Sequence, residues 1–173
     1  LEEVVGRIED EYPRMPHIYL KDALSAGGVA LDLEAQDSED AIRELMAVVP
    51  PQNLPPHVNV TNLALSRERQ LPTDVGNGVA VPHARCPGLS HAIMVVGRST
   101  EGIVFNTKTG DLVRLIFLLI TPAERPQTQV FFLAQLANVA NSELVRERIA
   151  RATSANEVIQ IIAAADPAVT RSE

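Results

Sequence analysis

The amino-acid sequence predicts a single α/β domain with a mixed central β-sheet flanked by helices on both sides. The chain has 173 residues, which suits one domain with a sizeable core and is too short for two ordinary domains. Short apolar runs typical of strands alternate along the chain with segments of helical periodicity. The run at residues 112–120 is apolar except at Arg114, as expected of a strand that is buried on both faces of a central sheet.

The chain is predicted to divide into three parts. Residues 1–17 carry a short apolar stripe that ends at two prolines, which predicts a helical extension or linker that could form a dimer contact. The domain itself is predicted to cover residues 18–165, and residues 166–173 form a C-terminal tail. The chain begins with Leu1 and not with methionine, so we expect a piece of a longer protein in preference to a processed one.

The first elements of the domain are predicted to be short. Residues 20–24 have the spacing of one or two helical turns, and two glycines follow and stop the helix. Val29, Leu31 and Leu33 alternate with smaller or polar residues, and this alternation predicts a half-buried strand.

Two longer helices are predicted next. Ser38 is the predicted N-cap of the first helix, whose buried side is an apolar stripe at helical spacing. The stripe consists of Ala41, Ile42, Leu45, Met46 and Val49. The second helix is predicted at residues 59–69, between a proline-rich loop and Pro72.

The middle of the domain is predicted to be rich in strands, and its end helical. The predicted strands lie at residues 79–81, 92–97, 103–105 and 112–120. Apolar positions at helical spacing predict two helices near residues 130–139 and 144–149. A third helix begins with a capping box from Ser154 to Glu157.

The composition excludes several classes of function. Fifteen Lys and Arg against 22 Asp and Glu give a net charge of -7, which disfavours binding of nucleic acid, and the few aromatic residues offer no stacking platform for bases. One cysteine, Cys86, excludes an intramolecular disulfide framework and a multi-cysteine zinc site, and it fits a cytoplasmic location. No cofactor is predicted, and no apolar run approaches the roughly 20 residues that cross a bilayer.

One stretch of the sequence carries the candidate chemistry. A glycine turn at residues 76–78 leads into a short strand that stops at Pro82. His83 is thereby presented at a strand end, where α/β sheets place their working residues. An imidazole in that place can be a nucleophile, a proton carrier or a metal ligand. A metal site is the least favoured of these, because no partner ligands stand at a recognisable spacing.

Arginines near His83 favour phosphoryl transfer. A histidine that accepts a phosphoryl group needs one neutral, exposed ring nitrogen and cationic donors for the phosphoryl oxygens. Arg67 and Arg69, at the end of the preceding predicted helix, and Arg85 could supply these donors, since a guanidinium pairs with two oxygens at once. The alternative is a histidine that satisfies a backbone group in a tight turn, which is the commoner role of an isolated histidine.

The residues around His83 resemble the signature of a known family. The matching run consists of Arg67-Glu68-Arg69, Thr73 and Gly76-Asn77-Gly78-Val79-Ala80-Val81-Pro82-His83-Ala84. It is similar to the signature of the enzyme IIA (EIIA) domains of the fructose/mannitol and nitrogen-regulatory class, which belong to the phosphoenolpyruvate-dependent phosphotransferase system. The resemblance extends over residues 18–165. It implies the fold of that class, with His83 as phosphoryl acceptor and Arg67 as a phosphoryl-binding residue.

Two departures from the family's pattern bear on the site. Where the family has a second histidine paired with the active one, this chain has Gln129, which can donate a hydrogen bond but cannot become cationic. Of the family's Gly-Ser-Thr-Gly before the glycine turn, this chain keeps only the threonine, as Thr73. Asp74 adds a negative charge that is unfavourable beside a phosphoryl group unless its side chain points away. We therefore expect His83 to be phosphorylated more slowly than the active histidine of family members that have the second histidine.

The resemblance implies a phosphohistidine phosphotransferase component. The histidine-containing phosphocarrier protein would donate the phosphoryl group to this chain. The chain would then pass the group to a sugar-transporter IIB component, or its phosphorylated state would serve as a signal. The alternative is a non-catalytic regulatory domain fused to a membrane transporter such as a cation/proton exchanger. Among the other candidates, Cys86 is expected to be a buried or semi-exposed structural thiol, and His57 and His91 are expected to face solvent. Glu68 is expected to orient an arginine or to face water, as surface carboxylates usually do.

Overall fold

A mixed β-sheet forms the middle layer of the protein. The structure is a computed structural model that describes residues 19–170, so the predicted extension at residues 1–17 lies outside the described residues. Within the described range the sheet has six strands: β1 (Gly28–Ala30), β2 (Asp74–Gly76), β3 (Val79–Ala80), β4 (His83–Cys86), β5 (Ile93–Val104) and β6 (Leu112–Pro122).

The antiparallel pair of β5 and β6 is the centre of this sheet. β1 pairs in parallel with β5, while β3 and β4 both pair in parallel with the other side of β6. β2 pairs antiparallel with β3. As predicted, β6 is buried on both faces, and its side chains alternate between two cores. Leu115, Phe117 and Leu119 lie in one core, and Ile116, Leu118 and Ile120 lie in the other.

Helices cover both faces of the sheet. They are α1 (Leu20–Ala26), α2 (Ser38–Met46), α3 (Val60–Gln70), α4 (Pro126–Ala140), α5 (Glu143–Arg151), α6 (Ala155–Ala165) and α7 (Pro167–Thr170), with a 3-10 turn at Pro51–Asn53. Apolar residues of α2 and α3 form one core with the sheet, and those of α1, α4, α5 and α6 form the other. The predicted α/β fold class is confirmed. Among the helices of residues 19–170, none is both long and apolar enough to cross a membrane.

The predicted N-cap of α2 is wrong by one residue. Ser38 is the first residue of the helix, and the N-cap is Asp37, whose carboxylate accepts a hydrogen bond from the Asp40 N–H at 2.8 Å. A carboxylate also interacts favourably with the positive end of the helix dipole, which a serine hydroxyl does less well.

Two strand predictions differ from the structure in their length. The strand predicted through Leu33 ends at Ala30, and Leu33 instead packs over Gly97 of β5, where an added Cβ would lie 2.7 Å from the Leu33 side chain. The strands predicted at residues 92–97 and 103–105 are one strand, β5, whose register with β6 is irregular between Arg98 and Ile103.

Candidate functional site

His83 lies directly after a proline that interrupts the pairing of a strand. β3 ends at Ala80 and β4 begins at His83, and both pair with β6. Pro82, between them, has no N–H to donate to the ladder, although its carbonyl accepts a hydrogen bond from the Leu119 N–H at 2.9 Å. His83 was predicted at the end of a strand. In the structure it follows a short gap between β3 and β4, which both pair with β6.

A tight hairpin turn positions the strand that leads to His83. Gly76 of β2 pairs with Val79 of β3, so Asn77 and Gly78 form a two-residue loop. Their φ angles are 56° and 72°, and positive φ at both positions is the geometry of a type I′ turn, for which Asn-Gly is a favoured sequence. The glycine turn singled out in the sequence is thus a hairpin loop.

The imidazole of His83 is half-buried and held through one nitrogen. Its Nδ1 lies 2.8 Å from the carbonyl oxygen of Val81. Because a carbonyl only accepts hydrogen bonds, Nδ1 carries the proton of the neutral ring and Nε2 keeps its lone pair. Burial lowers the pKa of His83, the Val81 hydrogen bond raises it in part, and the charges of Arg67 and Arg85 lower it further. The ring is therefore mainly neutral at pH 7.

Two cavities adjoin His83. The smaller one, of about 300 Å³, is lined by Leu63, Arg67, His83, Ala84, Arg85 and Gln129. The larger one, of about 470 Å³, is also lined by Arg67 and His83, together with Thr73 and Asp74. Five of the predicted site residues thus line these two cavities, namely Arg67, Thr73, His83, Arg85 and Gln129, and Asp74 also lines the larger one.

Arg67 enters both cavities from the last turn of α3. Its side chain is half-buried, and Nη1 donates a hydrogen bond to the carbonyl oxygen of Leu71 at 3.2 Å. This bond holds the guanidinium against Leu71, the residue that follows the end of α3. It involves one of the five N–H donors of the guanidinium, so the planar fork can still face an anion in the cavity.

Arg85 and Gln129 bind each other across the smaller cavity. Arg85 Nε donates to Gln129 Oε1 at 2.7 Å, which links β4 to the first turn of α4. Since a guanidinium only donates hydrogen bonds, the amide oxygen of Gln129 must face Arg85, and its NH₂ group remains a donor on the other side. Gln129 can therefore hold Arg85 in place and also donate to an anion.

The prediction that Arg69 joins this cluster is wrong. Arg69 donates from Nε to Glu39 Oε1 of α2 at 2.6 Å, and it lines neither of the two cavities beside His83. Two positions along a helix correspond to a rotation of about 200°, so Arg67 and Arg69 cannot face the same side. The hydrogen bond from Arg69 lowers the pKa of Glu39. Arg69 and Glu39 therefore form a surface ion pair away from the cavities beside His83.

Sequence reasoning missed the position of Glu68. The residue is only 5% exposed, and its carboxylate accepts two hydrogen bonds from Thr73, one from N–H at 3.0 Å and one from the hydroxyl at 2.7 Å. Burial raises the pKa of Glu68, and the two hydrogen bonds lower it in part. The helical spacing could have shown this burial, because Glu68 follows the buried Ala64 by four residues and therefore lies on the same face of α3.

The remaining candidates are structural or exposed. Cys86 is buried, as predicted, its Sγ lies 3.6 Å from the Pro87 carbonyl oxygen, and burial raises the pKa of its thiol. His57 and His91 are exposed, and neither lines a cavity beside His83. Over residues 19–170 no group of three or more His, Cys, Asp or Glu side chains is placed to hold a metal ion.

His83 is expected to titrate below the usual histidine pKa of 6.5, as followed by NMR of its ring resonances. Because the lowered pKa keeps Nε2 unprotonated, reactivity at this nitrogen should stay constant as the pH falls to that pKa and should decrease below it. Arg67→Ala removes a positive charge and should raise the pKa of His83, whereas Arg69→Ala should leave it unchanged. A pKa at or above 6.5 would contradict this electrostatic description.

Comparisons with known proteins agree with this geometry. The family model described as "Phosphoenolpyruvate-dependent sugar phosphotransferase system, EIIA 2" matches residues 22–165. The nitrogen regulatory protein of Escherichia coli is 32% identical over 111 residues, which cover 64% of this chain and 68% of that protein. The fructose-specific EIIABC component of Bacillus subtilis is 25% identical over 144 residues, which cover 83% of this chain.

The chain spans only part of some of these relatives. It covers 23% of the Bacillus subtilis EIIABC component and 64% of the fructose-specific EIIA component of Haloferax volcanii, to which it is 31% identical.

Solved structures share the fold. The nitrogen regulatory protein IIA-Ntr of Neisseria meningitidis superimposes with a TM-score of 0.73 at 28% identity, covering 83% of this chain and 98% of its own. The mannitol enzyme IIA of Escherichia coli, solved in complex with its phosphorylated enzyme IIB, superimposes with a TM-score of 0.65 at 25% identity, covering 79% and 94%.

Proposed function

Because the chain belongs to the EIIA 2 family of the phosphoenolpyruvate-dependent sugar phosphotransferase system, we propose that it carries a phosphoryl group on Nε2 of His83. The observation that carries this proposal is the hydrogen bond of 2.8 Å between His83 Nδ1 and the Val81 carbonyl, which leaves the lone pair on Nε2. Arg67 and Arg85 line the same cavity, so two guanidinium groups would receive the phosphoryl oxygens.

The proposed step is a transfer between two histidines. The Nε2 lone pair of His83 attacks the phosphorus of a phosphohistidine on the donor, and a new N–P bond forms while the donor's N–P bond breaks. The electron pair of the broken bond returns to the donor nitrogen. The proton on His83 Nδ1 stays in place, so the ring becomes cationic and the Val81 carbonyl stabilises it, while Arg67 and Arg85 offset the phosphoryl charge.

The donor in this proposal is the histidine-containing phosphocarrier protein, and the acceptor is a IIB component, unless the phosphorylated state serves as a signal. The acceptor is supported by the solved complex of mannitol enzyme IIA with phosphorylated enzyme IIB. A cytoplasmic location and a domain over residues 18–165 are further parts of the proposal. A non-catalytic domain fused to a cation/proton exchanger is not supported by the relatives described above.

A reconstituted phosphorylation reaction tests the proposal. The chain is incubated with phosphoenolpyruvate, the first enzyme of the system and the phosphocarrier protein, and is then analysed by mass spectrometry under alkaline conditions that preserve phosphohistidine. We expect one acid-labile phosphoryl group on His83. If the phosphocarrier protein becomes labelled and His83 does not, the proposed function is wrong.

Gln129→His is expected to accelerate phosphorylation of His83. An imidazole at position 129 can become cationic, and a charge-assisted hydrogen bond to a phosphoryl oxygen is worth roughly 1 kcal/mol more than a neutral one, or about fivefold in rate. The gain should grow as the pH falls and the new imidazole becomes protonated. Initial rates at several pH values measure it. A slower Gln129→His chain would instead show that the hydrogen bond from Arg85 to Gln129 matters more than charge at this position.

A further inference from the structure

We infer that Glu68 is a positioning residue that sets the orientation and tautomer of the His83 imidazole through Thr73 and Val81. These four residues are called the Glu68 relay below. The inference rests on the proposed function, because a selected tautomer matters for a histidine that reacts at one nitrogen. Neither the family match nor the names of the relatives assigns a role to Glu68.

The relay begins at two buried polar residues, Glu68 of α3 and Thr73. The Glu68 carboxylate accepts from both the N–H and the hydroxyl of Thr73, at 3.0 and 2.7 Å, and both residues are buried. One bond fixes the backbone of Thr73 and the other fixes its side chain, so this residue has little freedom. A buried carboxylate is costly unless hydrogen bonds compensate it, and both of these come from Thr73.

The second link crosses from Thr73 to the strand that precedes His83. The Val81 N–H donates to the Thr73 carbonyl at 3.0 Å, next to the point where Asp74 pairs with Ala80. Val81 follows β3, and Pro82 then interrupts pairing with β6, so this bond to Thr73 is an anchor of the backbone just before the gap. The position of the Val81 carbonyl therefore depends on the position of Thr73.

The third link reaches the imidazole. The Val81 carbonyl accepts from His83 Nδ1 at 2.8 Å, and this bond is what selects the tautomer with the proton on Nδ1. Glu68 lines neither cavity beside His83, so its path to the imidazole is the backbone that it holds. A shift of the Val81 carbonyl would weaken the Nδ1 hydrogen bond, and the proton could then move to Nε2 and block the attacking nitrogen.

Ring-nitrogen NMR of the unphosphorylated chain tests the relay. With ¹⁵N-labelled histidine, at a pH above the pKa of His83, the wild type should show the Nδ1–H tautomer. Glu68→Gln replaces one acceptor oxygen by an NH₂ group, and Thr73→Val removes the hydroxyl donor. Each should reduce the ratio of Nδ1–H to Nε2–H by roughly threefold to tenfold, the effect of losing about one hydrogen bond. Phosphorylation of His83 should slow by a similar factor.

Two further variants separate positioning from general stability. Thr73→Ser keeps the hydroxyl and should restore the wild-type ratio. Thr153→Val is the matched control, because Thr153 donates to Glu157 through the same two groups, N–H at 2.9 Å and hydroxyl at 3.3 Å, at an exposed place before α6. Thr153→Val should leave the tautomer of His83 unchanged.

The outcomes distinguish the inference from the proposed function. An unchanged tautomer ratio in folded Glu68→Gln and Thr73→Val overturns the positioning role, even if His83 is phosphorylated in the wild type. If Glu68→Gln does not fold by circular dichroism, the contrast between Thr73→Val and Thr73→Ser decides. If the ratio falls in the variants but the wild type takes no phosphoryl group, the relay stands and the proposed function fails.

Discussion

Replacing His83 with glutamine is expected to abolish phosphorylation of the chain. Glutamine is polar and similar in reach, but its amide has no nucleophilic lone pair comparable with that of Nε2. In the reconstituted reaction with phosphoenolpyruvate, the first enzyme and the phosphocarrier protein, the wild type should gain one phosphoryl group and His83→Gln none. Circular dichroism should show the same fold for both chains, because the ring is only half-buried and lies outside the two cores.

His57→Gln is the matched control for this experiment. His57 lies in an exposed loop and lines neither cavity beside His83, so its replacement should leave the amount of phosphoryl group unchanged. Full labelling of His83→Gln would place the acceptor on another residue and would contradict the assignment of Nε2 as the nucleophile.

Arg67→Ala is expected to slow phosphorylation of His83 by roughly a hundredfold to a thousandfold, the usual cost of removing one preorganised donor that stabilises the transition state. Arg67 lines both cavities beside His83, and its fork can bind two phosphoryl oxygens, which a lysine does less well. Arg67→Lys should therefore recover only part of the rate. Initial rates measured over a range of donor concentrations up to saturation separate a loss in kcat from a change in KM. The loss should lie mainly in kcat.

Arg69→Ala provides the comparison on the same helix. Arg69 is exposed and paired with Glu39, so its removal should change the phosphorylation rate by less than about twofold, as expected of a surface ion pair. Equal losses in Arg67→Ala and Arg69→Ala would point to a general electrostatic effect of the net charge and would contradict a specific role for Arg67. The thermal midpoint of Arg67→Ala shows whether the bond to Leu71 is needed for folding.

The fold class could be predicted because local patterns and tertiary structure agree in this chain. β6 is apolar at nearly every position because both of its faces are buried, and the Asn77-Gly78 loop has the backbone angles that its residues favour. The placement of His83 followed from Pro82, because a proline removes a ladder hydrogen bond wherever its nitrogen faces a neighbouring strand. Each of these features depends on a few neighbouring residues.

The set of residues that form the site was harder to predict, because it depends on the directions in which side chains point in the folded protein. Arg67 and Arg69 are equivalent in sequence, and only the orientation of α3 decides that the first faces His83 and the second faces Glu39. Glu68 lies between them, and its charge suggested solvent, whereas the helical spacing with Ala64 places it inside. The contact of Arg85 with Gln129 joins residues 44 positions apart, and no local pattern reports such a contact.

The strand that begins with His83 is an edge strand of the sheet. In residues 19–170, β4 pairs with β6 and with no second strand, and an unpaired edge is a template for aggregation by strand addition. β4 is only four residues long, proline precedes and follows it, and Arg85 places a charge on it. Short length, proline and charge are the features that prevent edge-to-edge association. This surface can therefore stay open to brief encounters without recruiting other copies into a fibril.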